Sequence, residues 1–349
     1  MAILIVLIKI FSFFPFAVEK YYSTGLYPYL SRVLRFLFGW FPFSMGDLVY
    51  LAAGIYLLVK AIKLVVAVFK RRAGKSFWWN GLRWLVFYSL LVYTVFNILW
   101  GLNYNRLGTA YQLQLKMKPY STLELQTVMT VIIKRLDSSH EKAVQLRNRY
   151  LQNRALFSGS YDAYRLAETQ YPNLSYTGRS VKPSLFSYLG DYLGYTGYYN
   201  PFTGEAQVNT TVPVFVRPFT TCHEMGHQLG YAKENEANFA GYLSAKSSAD
   251  AAFKYSVYFD LYIYGMGELY GRDSVLATQL SKEKPLQVKK DLLTLRNFFD
   301  AYQNPIEPYI RKLYGQYLKA NEQPAGLQSY NEVMAFLIAY YKKYGETAL

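Results

Sequence analysis

The chain has 349 residues, of which 52% are hydrophobic and only 17% charged, with a formal net charge of +15. This composition is apolar for a soluble protein, so membrane spans are expected, and no nucleic-acid-binding motif accompanies the positive charge, so we expect no nucleic-acid partner. The single cysteine, Cys222, excludes an intrachain disulfide and a thiolate-cluster metal site, which leaves histidine and carboxylate as metal ligands.

Three stretches are apolar enough to cross a lipid bilayer, at about residues 2–18, 46–69 and 82–102. The first contains Lys9 and Pro15 and is followed by no small-residue cleavage pattern, which favours an uncleaved anchor over a signal sequence. Residues 1–105 are therefore predicted to form a membrane region with three transmembrane helices.

The loop between the second and third stretches is basic, and the positive-inside rule places it in the cytoplasm; it contains Lys70, Arg71, Arg72 and Lys75. Residues 19–45 then form an external loop, and residues 106–349 form a domain outside the cytoplasm. We therefore predict a multi-pass protein of the inner (cytoplasmic) membrane whose domain faces the periplasm of a Gram-negative host.

The sequence after the spans reads as mainly helical. Ser121 to Glu124 has the pattern of a capping box, and residues 234–344 again show helical patterns broken near prolines. Between them, residues 171–211 are rich in Gly, Pro, Tyr and Ser and predict a loop, with a short extended segment at Gln207 to Asn209. We expect a mainly α fold with at most a small β-sheet.

The motif that carries chemistry is His223-Glu224-Met225-Gly226-His227, an H-E-x-x-H pattern. Residues four apart share one face of a helix, so both imidazoles can bind one ion, and Glu224 can reach a water on that ion. Thr220 or Thr221 is the expected N-cap of this helix, and Gly230 its expected end.

A zinc site with an open position needs a third protein ligand, and the next segment offers two carboxylates. The pattern Glu-x-x-Ala-Asn from Glu234 to Asn238 is similar to the Glu-x-x-Ala-Asp of gluzincin metallopeptidases. That similarity implies that Glu234 binds the metal and that Asn238 orients a histidine. Glu236 is the alternative third ligand, while the metzincin pattern would require a ligand at Lys233. Two imidazoles and a carboxylate favour Zn²⁺.

These residues predict a zinc metallopeptidase in which Glu224 is the general base for attack of water on an amide bond of a protein or peptide. The segment from Tyr198 to Asn209 is a candidate edge strand that holds the substrate by β-addition, or alternatively a loop packed over the site. The alternative function is a catalytically inactive metal-binding module that acts as an envelope scaffold or sensor.

Four segments together resemble a bacterial membrane family, the domain of unknown function 3810. They are Trp100 to Tyr104, Asn200 to Ala206, the H-E-x-x-H segment with its Glu-x-Glu-Ala-Asn continuation, and Tyr317 to Asn321. The resemblance covers nearly the whole chain, and it implies an N-terminal membrane region followed by a zincin-like domain.

Overall fold

The structure is a computed structural model that describes residues 1–324, 326 and 332–349. It is mainly helical with one small sheet, so the predicted fold class is confirmed; residues 325 and 327–331 of the predicted C-terminal helical region lie outside the described residues. The helices are α1 (Ala2–Ser12), α2 (Pro15–Gly39), α3 (Met45–Phe69), α4 (Lys75–Leu99), α5 (Gly108–Gln112), α6 (Thr122–Leu146), α7 (Asn153–Glu168), α8 (Ser187–Leu193), α9 (Arg217–Gln228), α10 (Glu234–Ser247), α11 (Ala251–Arg272), α12 (Ser274–Leu280), α13 (Leu286–Ala301), α14 (Glu307–Ala320) and α15 (Val333–Tyr344), and the strands are β1 (Val181–Pro183), β2 (Gly197–Asn200) and β3 (Glu205–Val208).

Among the described residues, two helices, α3 and α4, are each long and apolar enough to cross a membrane, with 25 residues each. At 1.5 Å per residue each measures about 37 Å, which exceeds the roughly 30 Å hydrocarbon core of a bilayer. The chain is therefore a membrane protein. The second predicted span agrees with α3, whereas α4 ends at Leu99, before the predicted limit of 102, because the chain turns into a buried 3₁₀ segment at Gly101–Asn105.

The first predicted span, residues 2–18, is not one continuous helix. Helix α1 ends at Ser12 after 11 residues, about 16 Å, and it is bent by 98° from α2. Pro15 has no N–H with which to continue α1, and it occupies the first turn of α2, where no N–H is needed. Only the two helices together pass as a broken span or a re-entrant loop.

The predicted external loop at residues 19–45 is largely the helix α2, which includes a π-helical stretch at Val18–Leu26. This helix buries an apolar face against the 3₁₀ segment after α4, in a cluster that contains Val18, Tyr22, Tyr27, Trp100, Leu102 and Tyr104. The residues predicted as an external loop therefore form an ordered helix that packs on the chain after α4. The sequence pattern of this aromatic-rich segment did not predict that helix.

A buried ion pair joins α2 to the chain after α4. Arg106 donates from Nη2 to Oε1 of Glu19 at 2.9 Å and from Nε to Oε2 at 3.0 Å. Arg106 also donates from Nη1 to the carbonyl of Gly230 at 3.0 Å. The pair thus ties the membrane-proximal helix to the turn that follows α9.

We expect Glu19→Ala to lower the free energy of unfolding by about 3–5 kcal/mol, because it leaves a buried guanidinium without its counter-charge. The Arg106 side chain is only 2% exposed. Thermal unfolding of the full chain in detergent measures the change, with exposed Glu283→Ala as the control. Equal unfolding midpoints for Glu19→Ala and the parent would contradict this prediction.

The core of the extramembrane part lies where α6, α9, α10 and α11 pack together, and α9 is buried along its whole length. The predicted capping box is confirmed at the start of α6, where Ser121 and Glu124 each bond the other's backbone N–H. This arrangement places α9 between packed helices on one side and the sheet on the other, so its polar side chains are buried.

The sheet has the order β1-β3-β2, with β1 parallel and β2 antiparallel to β3. Strand β3 at Glu205–Val208 overlaps the extended segment predicted at Gln207 to Asn209, and the region predicted as a loop also contains α8 and the other two strands. Among the described residues, no strand pairs with the outer side of β2. Strand β2 is therefore an edge strand. The segment predicted as one edge strand, Tyr198 to Asn209, instead contains β2 and the central strand β3, so only its first part lies at an edge.

The first turn of α3 is bonded to this sheet. The backbone N–H groups of Met45 and Gly46 donate to the carboxylate of Glu205 on β3, at 3.1 and 2.5 Å. Asp47 accepts from the hydroxyl of Tyr198 on β2 and from the N–H of Leu185 at 2.7 Å. A carboxylate at a helix N-terminus satisfies free N–H groups and opposes the helix dipole. The membrane helix is therefore fixed to the strand next to the site.

Candidate metal centre

Helix α9 brings the three residues of the H-E-x-x-H motif together. One ligand atom each from His223, Glu224 and His227 lie within 4.8 Å of one another, and all three residues are buried. The two imidazole rings have centroids 4.7 Å apart and are nearly perpendicular. The four-residue spacing thus places both rings on one helical face, as expected for a shared ion.

The ends of α9 follow from its sequence, with one correction. The helix begins at Arg217 with Pro218 in its first turn, so the predicted N-caps Thr220 and Thr221 both lie inside it. Proline is favoured in the first turn because its missing N–H would have no helical partner there. The predicted end is confirmed, since Gly230 adopts φ +84°, a conformation that glycine adopts without strain.

Two glycines allow α9 and α10 to pack closely. A Cβ on Gly241 would lie 3.0 Å from the backbone N of His223, and a Cβ on Gly226 would lie 3.2 Å from the carbonyl of Ala237. The short turn between the helices then brings Glu234, the first residue of α10, beside the histidines. Close helix packing explains how so short a connection can still deliver a third ligand.

The Oε2 atom of Glu234 lies 3.3 Å from Nε2 of His223 and 3.6 Å from Nε2 of His227. Ligand atoms around a tetrahedral zinc ion, with bonds of about 2.0–2.2 Å, are separated by about 3.4 Å. Oε2 is buried and accepts no hydrogen bond within the described part of the chain. The donor set and its spacing therefore fit a zinc ion.

The other candidate ligand, Glu236, points elsewhere. A Cβ on Gly108 would lie 1.8 Å from its Oε1, so its carboxylate occupies the space beside α5. Burial raises the pKa of Glu236, while Lys233 and Arg106 oppose that shift. Of the two carboxylates, only Glu234 lies beside the histidines.

His227 is held so that Nε2 faces Glu234. Its Nδ1 lies 2.8 Å from the carbonyl of Tyr231, which fixes the tautomer with the proton on Nδ1 and the lone pair on Nε2. Trp100, the residue after α4, donates from Nε1 to the backbone carbonyl of His227 at 3.1 Å, and its ring centroid lies 6.0 Å from the imidazole. The end of a membrane helix therefore contacts a candidate metal ligand directly.

Asn238 lies one turn along α10 from Glu234, and its side-chain amide is near enough to His223 to help raise the pKa of that imidazole. Burial raises the pKa of Tyr264 on α11, Asp260 beside it raises that pKa further, and Asn238 opposes the shift. This series of polar side chains links α10 and α11 to the site, and its contact with His223 is of the kind that orients a metal-binding imidazole.

Glu224 lies at the side of the site that faces the sheet. A Cβ on Gly197 of β2 would lie 2.7 Å from Oε1 of Glu224, so glycine is needed at this point of the strand. The Oε2 atom of Glu224 is buried and has no hydrogen-bond partner among the described residues. A buried, unpaired carboxylate oxygen beside two imidazoles is well placed to accept a hydrogen bond from a water molecule.

The electrostatics separate the two acids. Burial raises the pKa of Glu224 to about 7, although the neighbouring histidines lower it. Burial also acts to raise the pKa of Glu234, but His227 and His223 hold it well below its usual range. For His223, burial lowers the pKa, but the contact with Glu234 and the charge of Glu224 raise it to about 9. Glu224 can thus accept a proton near neutral pH, whereas Glu234 stays negatively charged.

Several residues near the site were not predicted from sequence. Tyr314 of α14 donates its hydroxyl hydrogen to Oε1 of Glu234 at 2.8 Å, and Gln323 accepts from the N–H of Glu234 at 2.9 Å. The hydroxyls of Tyr317 and Tyr104 lie 3.3 Å apart beside them. Tyr104 and Tyr317 belong to two of the segments that carried the family resemblance, but among 36 tyrosines nothing singled out Tyr314.

Helix α2 supports the end of α9. The carbonyl of Gln228 accepts from the hydroxyl of Tyr27 at 3.0 Å, from the hydroxyl of Ser31 at 2.8 Å and from Nη1 of Arg35 at 3.4 Å. The last carbonyls of a helix have no partner inside it. The membrane-proximal helix supplies these partners one residue after His227.

Comparison with known proteins gives one match. No curated protein and no solved structure matches the chain. A family model described as "Protein of unknown function (DUF3810)" matches residues 22–338, which include most of α2, both membrane helices and the whole candidate metal centre. With most of its length matched by that model, the chain belongs to the DUF3810 family.

Proposed function

We propose that the protein is a membrane-anchored, zincin-like zinc metallopeptidase in which His223, His227 and Glu234 bind Zn²⁺ and Glu224 is the general base. The observation that carries the proposal is that two Nε2 atoms each lie within 3.6 Å of one carboxylate oxygen of Glu234, beside an oxygen of Glu224 that has no hydrogen-bond partner among the described residues. Structural zinc sites usually have four protein ligands, whereas three ligands with a free carboxylate nearby are typical of hydrolytic sites.

The chain's own residues have distinct tasks in this mechanism. A bound zinc ion supplies Lewis acidity and lowers the pKa of water to about 7. Glu224 accepts the proton of the attacking water and passes it to the leaving amine. The carbonyl of Tyr231 keeps the imidazole of His227 oriented, Asn238 lies beside His223, and Tyr314 holds the carboxylate of Glu234.

The proposed substrate is a protein or peptide that lies extended along β2. The N–H of Asn209 donates to the carbonyl of Thr196 at 2.9 Å, so Thr196 and Asn209 are a hydrogen-bonded pair. In an antiparallel ladder every second residue is hydrogen-bonded to its partner strand. Gly197 and Tyr199 therefore direct their N–H and C=O groups away from β3, to the outer edge. That edge begins at Gly197, which lies against Glu224. A peptide paired there presents its backbone to the general base.

We place the site on the extracytoplasmic side of the inner membrane. The reason is the basic segment that joins α3 to α4, with Lys70, Arg71 and Arg72 between the helices and Lys75 as the first residue of α4. The positive-inside rule assigns this segment to the cytoplasm. The other ends of α3 and α4, at Met45 and Leu99, connect to the sheet and to His227. The site therefore lies on the face opposite that basic segment.

The direct test is hydrolysis by the full chain, purified in detergent, of a mixed peptide library analysed by mass spectrometry. We expect cleavage by the zinc-loaded protein, loss of cleavage after treatment with a chelator, and recovery when zinc is restored. Stoichiometric zinc without cleavage of any peptide would instead support a catalytically inactive metal-binding scaffold or sensor. A folded chain that binds no zinc would contradict both functions.

A further inference from the structure

A cavity of about 420 Å³, with a largely apolar wall, lies away from the metal centre. It opens between the C-terminal half of α2 and the loop before β1, and three arginines line it: Arg32, Arg35 and Arg179. Its two walls are in close contact, since a Cβ on Gly39 would lie 2.4 Å from the carbonyl of Arg179. The cavity is therefore a feature of the packed fold, and its size is within the range of about 300–1,000 Å³ typical of ligand sites.

The positive charge in this cavity is not compensated by acids. Among the described residues, none of the three arginines forms an ion pair. Arg32 and Arg179 are exposed at the rim, where their guanidinium groups lie over the rings of Tyr29 and Tyr161. Three like charges that converge on one cavity repel one another, and a bound anion removes that repulsion.

Arg35 provides the strongest evidence for a ligand. It is 3% exposed, its guanidinium stacks on Tyr176 with 4.7 Å to the ring centroid, and Nη1 donates to the carbonyl of Gln228. Its Nε–H has no acceptor among the described residues. A buried guanidinium with an unused donor and no carboxylate is costly, and an anion in the adjoining cavity would offset that cost.

The surroundings of the cavity match the level of lipid headgroups. Phe36 and Trp40 line it and are 65% and 77% exposed, and α3 begins shortly afterwards at Met45 with an outer surface free of protein contacts. Exposed tryptophan beside a membrane helix is typical of the interface between bilayer and water. If the acyl chains of a phospholipid lay along α3, its headgroup would lie at the level of the three arginines.

We propose that this cavity binds a phosphate group, as carried by an anionic phospholipid headgroup or by free phosphate. Guanidinium groups donate paired, charge-assisted hydrogen bonds to phosphate oxygens. A single carboxylate could accept such a pair from only one of the three arginines. This site is independent of the proposed peptidase activity.

The test uses delipidated full chain in detergent, with lipid binding measured by native mass spectrometry and by the shift in unfolding temperature. The probes are phosphatidylglycerol, uncharged diacylglycerol and inorganic phosphate. The variant is Arg32→Gln/Arg179→Gln, which leaves buried Arg35 in place and so preserves the fold. The control is Arg165→Gln/Arg296→Gln, which removes the same charge from side chains 76% and 78% exposed elsewhere.

We expect the parent and the control to bind phosphatidylglycerol and the rim variant to bind it at least about tenfold more weakly, while diacylglycerol binds to none of them. A shift with inorganic phosphate that the rim variant loses would identify free phosphate as a ligand, and binding of phosphatidylglycerol alone would identify the headgroup. Equal binding by parent and rim variant, equal binding of diacylglycerol, or binding of neither phosphate probe would overturn the proposal.

Discussion

Replacement of Glu224 by glutamine is expected to lower the rate of peptide hydrolysis by about 10²–10⁴-fold, the usual contribution of a general base. Glutamine has the same shape but cannot accept the proton of the attacking water. Because His223, His227 and Glu234 are unchanged, zinc content per chain should stay equal to that of the parent. Hydrolysis and elemental analysis on the same purified sample measure both quantities.

The fold should tolerate this change. Burial raises the pKa of Glu224 to about 7, so its charged form is disfavoured inside the protein and a neutral amide removes that cost. Exposed Glu283→Gln serves as the control for loss of a carboxylate, with full activity expected. Hydrolysis by Glu224→Gln at the rate of the parent would refute the role of Glu224 as the base. The zinc content of the same sample would show separately whether the zinc site is intact.

The second large effect concerns the third ligand. We expect Glu234→Ala to weaken zinc binding by more than about 100-fold, since loss of an outer partner of a ligand alone costs about 10- to 100-fold. Glu236→Ala should keep zinc, because that carboxylate lies beside Gly108 and away from both imidazoles. Titration of the chelator-treated full chain with zinc gives the two affinities.

Glu236→Ala is a closely matched control, because it removes a buried glutamate two residues away on the same helix. Asn238→Ala should fall between the two, with about 10- to 100-fold weaker zinc binding through loss of its contact with His223. If Glu236→Ala lost zinc and Glu234→Ala kept it, the ligand assignment would be reversed. If neither changed the affinity, the metal would bind elsewhere.

The regular parts of the fold could be predicted from sequence because they depend on local patterns. Long apolar runs predicted α3 and α4, and the capping box predicted the start of α6. The role of α2 could not be predicted in this way. Its buried face meets residues about 80 positions later, such as Arg106, and only the folded chain shows that Glu19 is a partner rather than a solvated loop residue.

The candidate site likewise has residues that the sequence predicts and residues that only the folded chain shows. The pair His223 and His227 follows from a four-residue spacing on one helix, so sequence alone places both on one face. The choice between Glu234 and Glu236 depends on how α10 packs on α9. Two glycines allow that close packing, and their effect depends on contacts in the folded chain that no sequence pattern shows. Tyr314 reaches Glu234 from 80 residues away, and no local signal encodes that approach.

The contacts of α2 also bear on how the protein can be divided for study. A soluble fragment that starts after the membrane helices would lack Glu19, and Arg106 would then carry a buried charge with no counter-ion. The carbonyl of Gln228 would lose Tyr27, Ser31 and Arg35 as donors, and the carbonyl of His227 would lose Trp100 if the cut came after it. Truncation at the apparent membrane boundary would therefore remove part of the site's own scaffold, and a fused α2 segment would be needed to restore it.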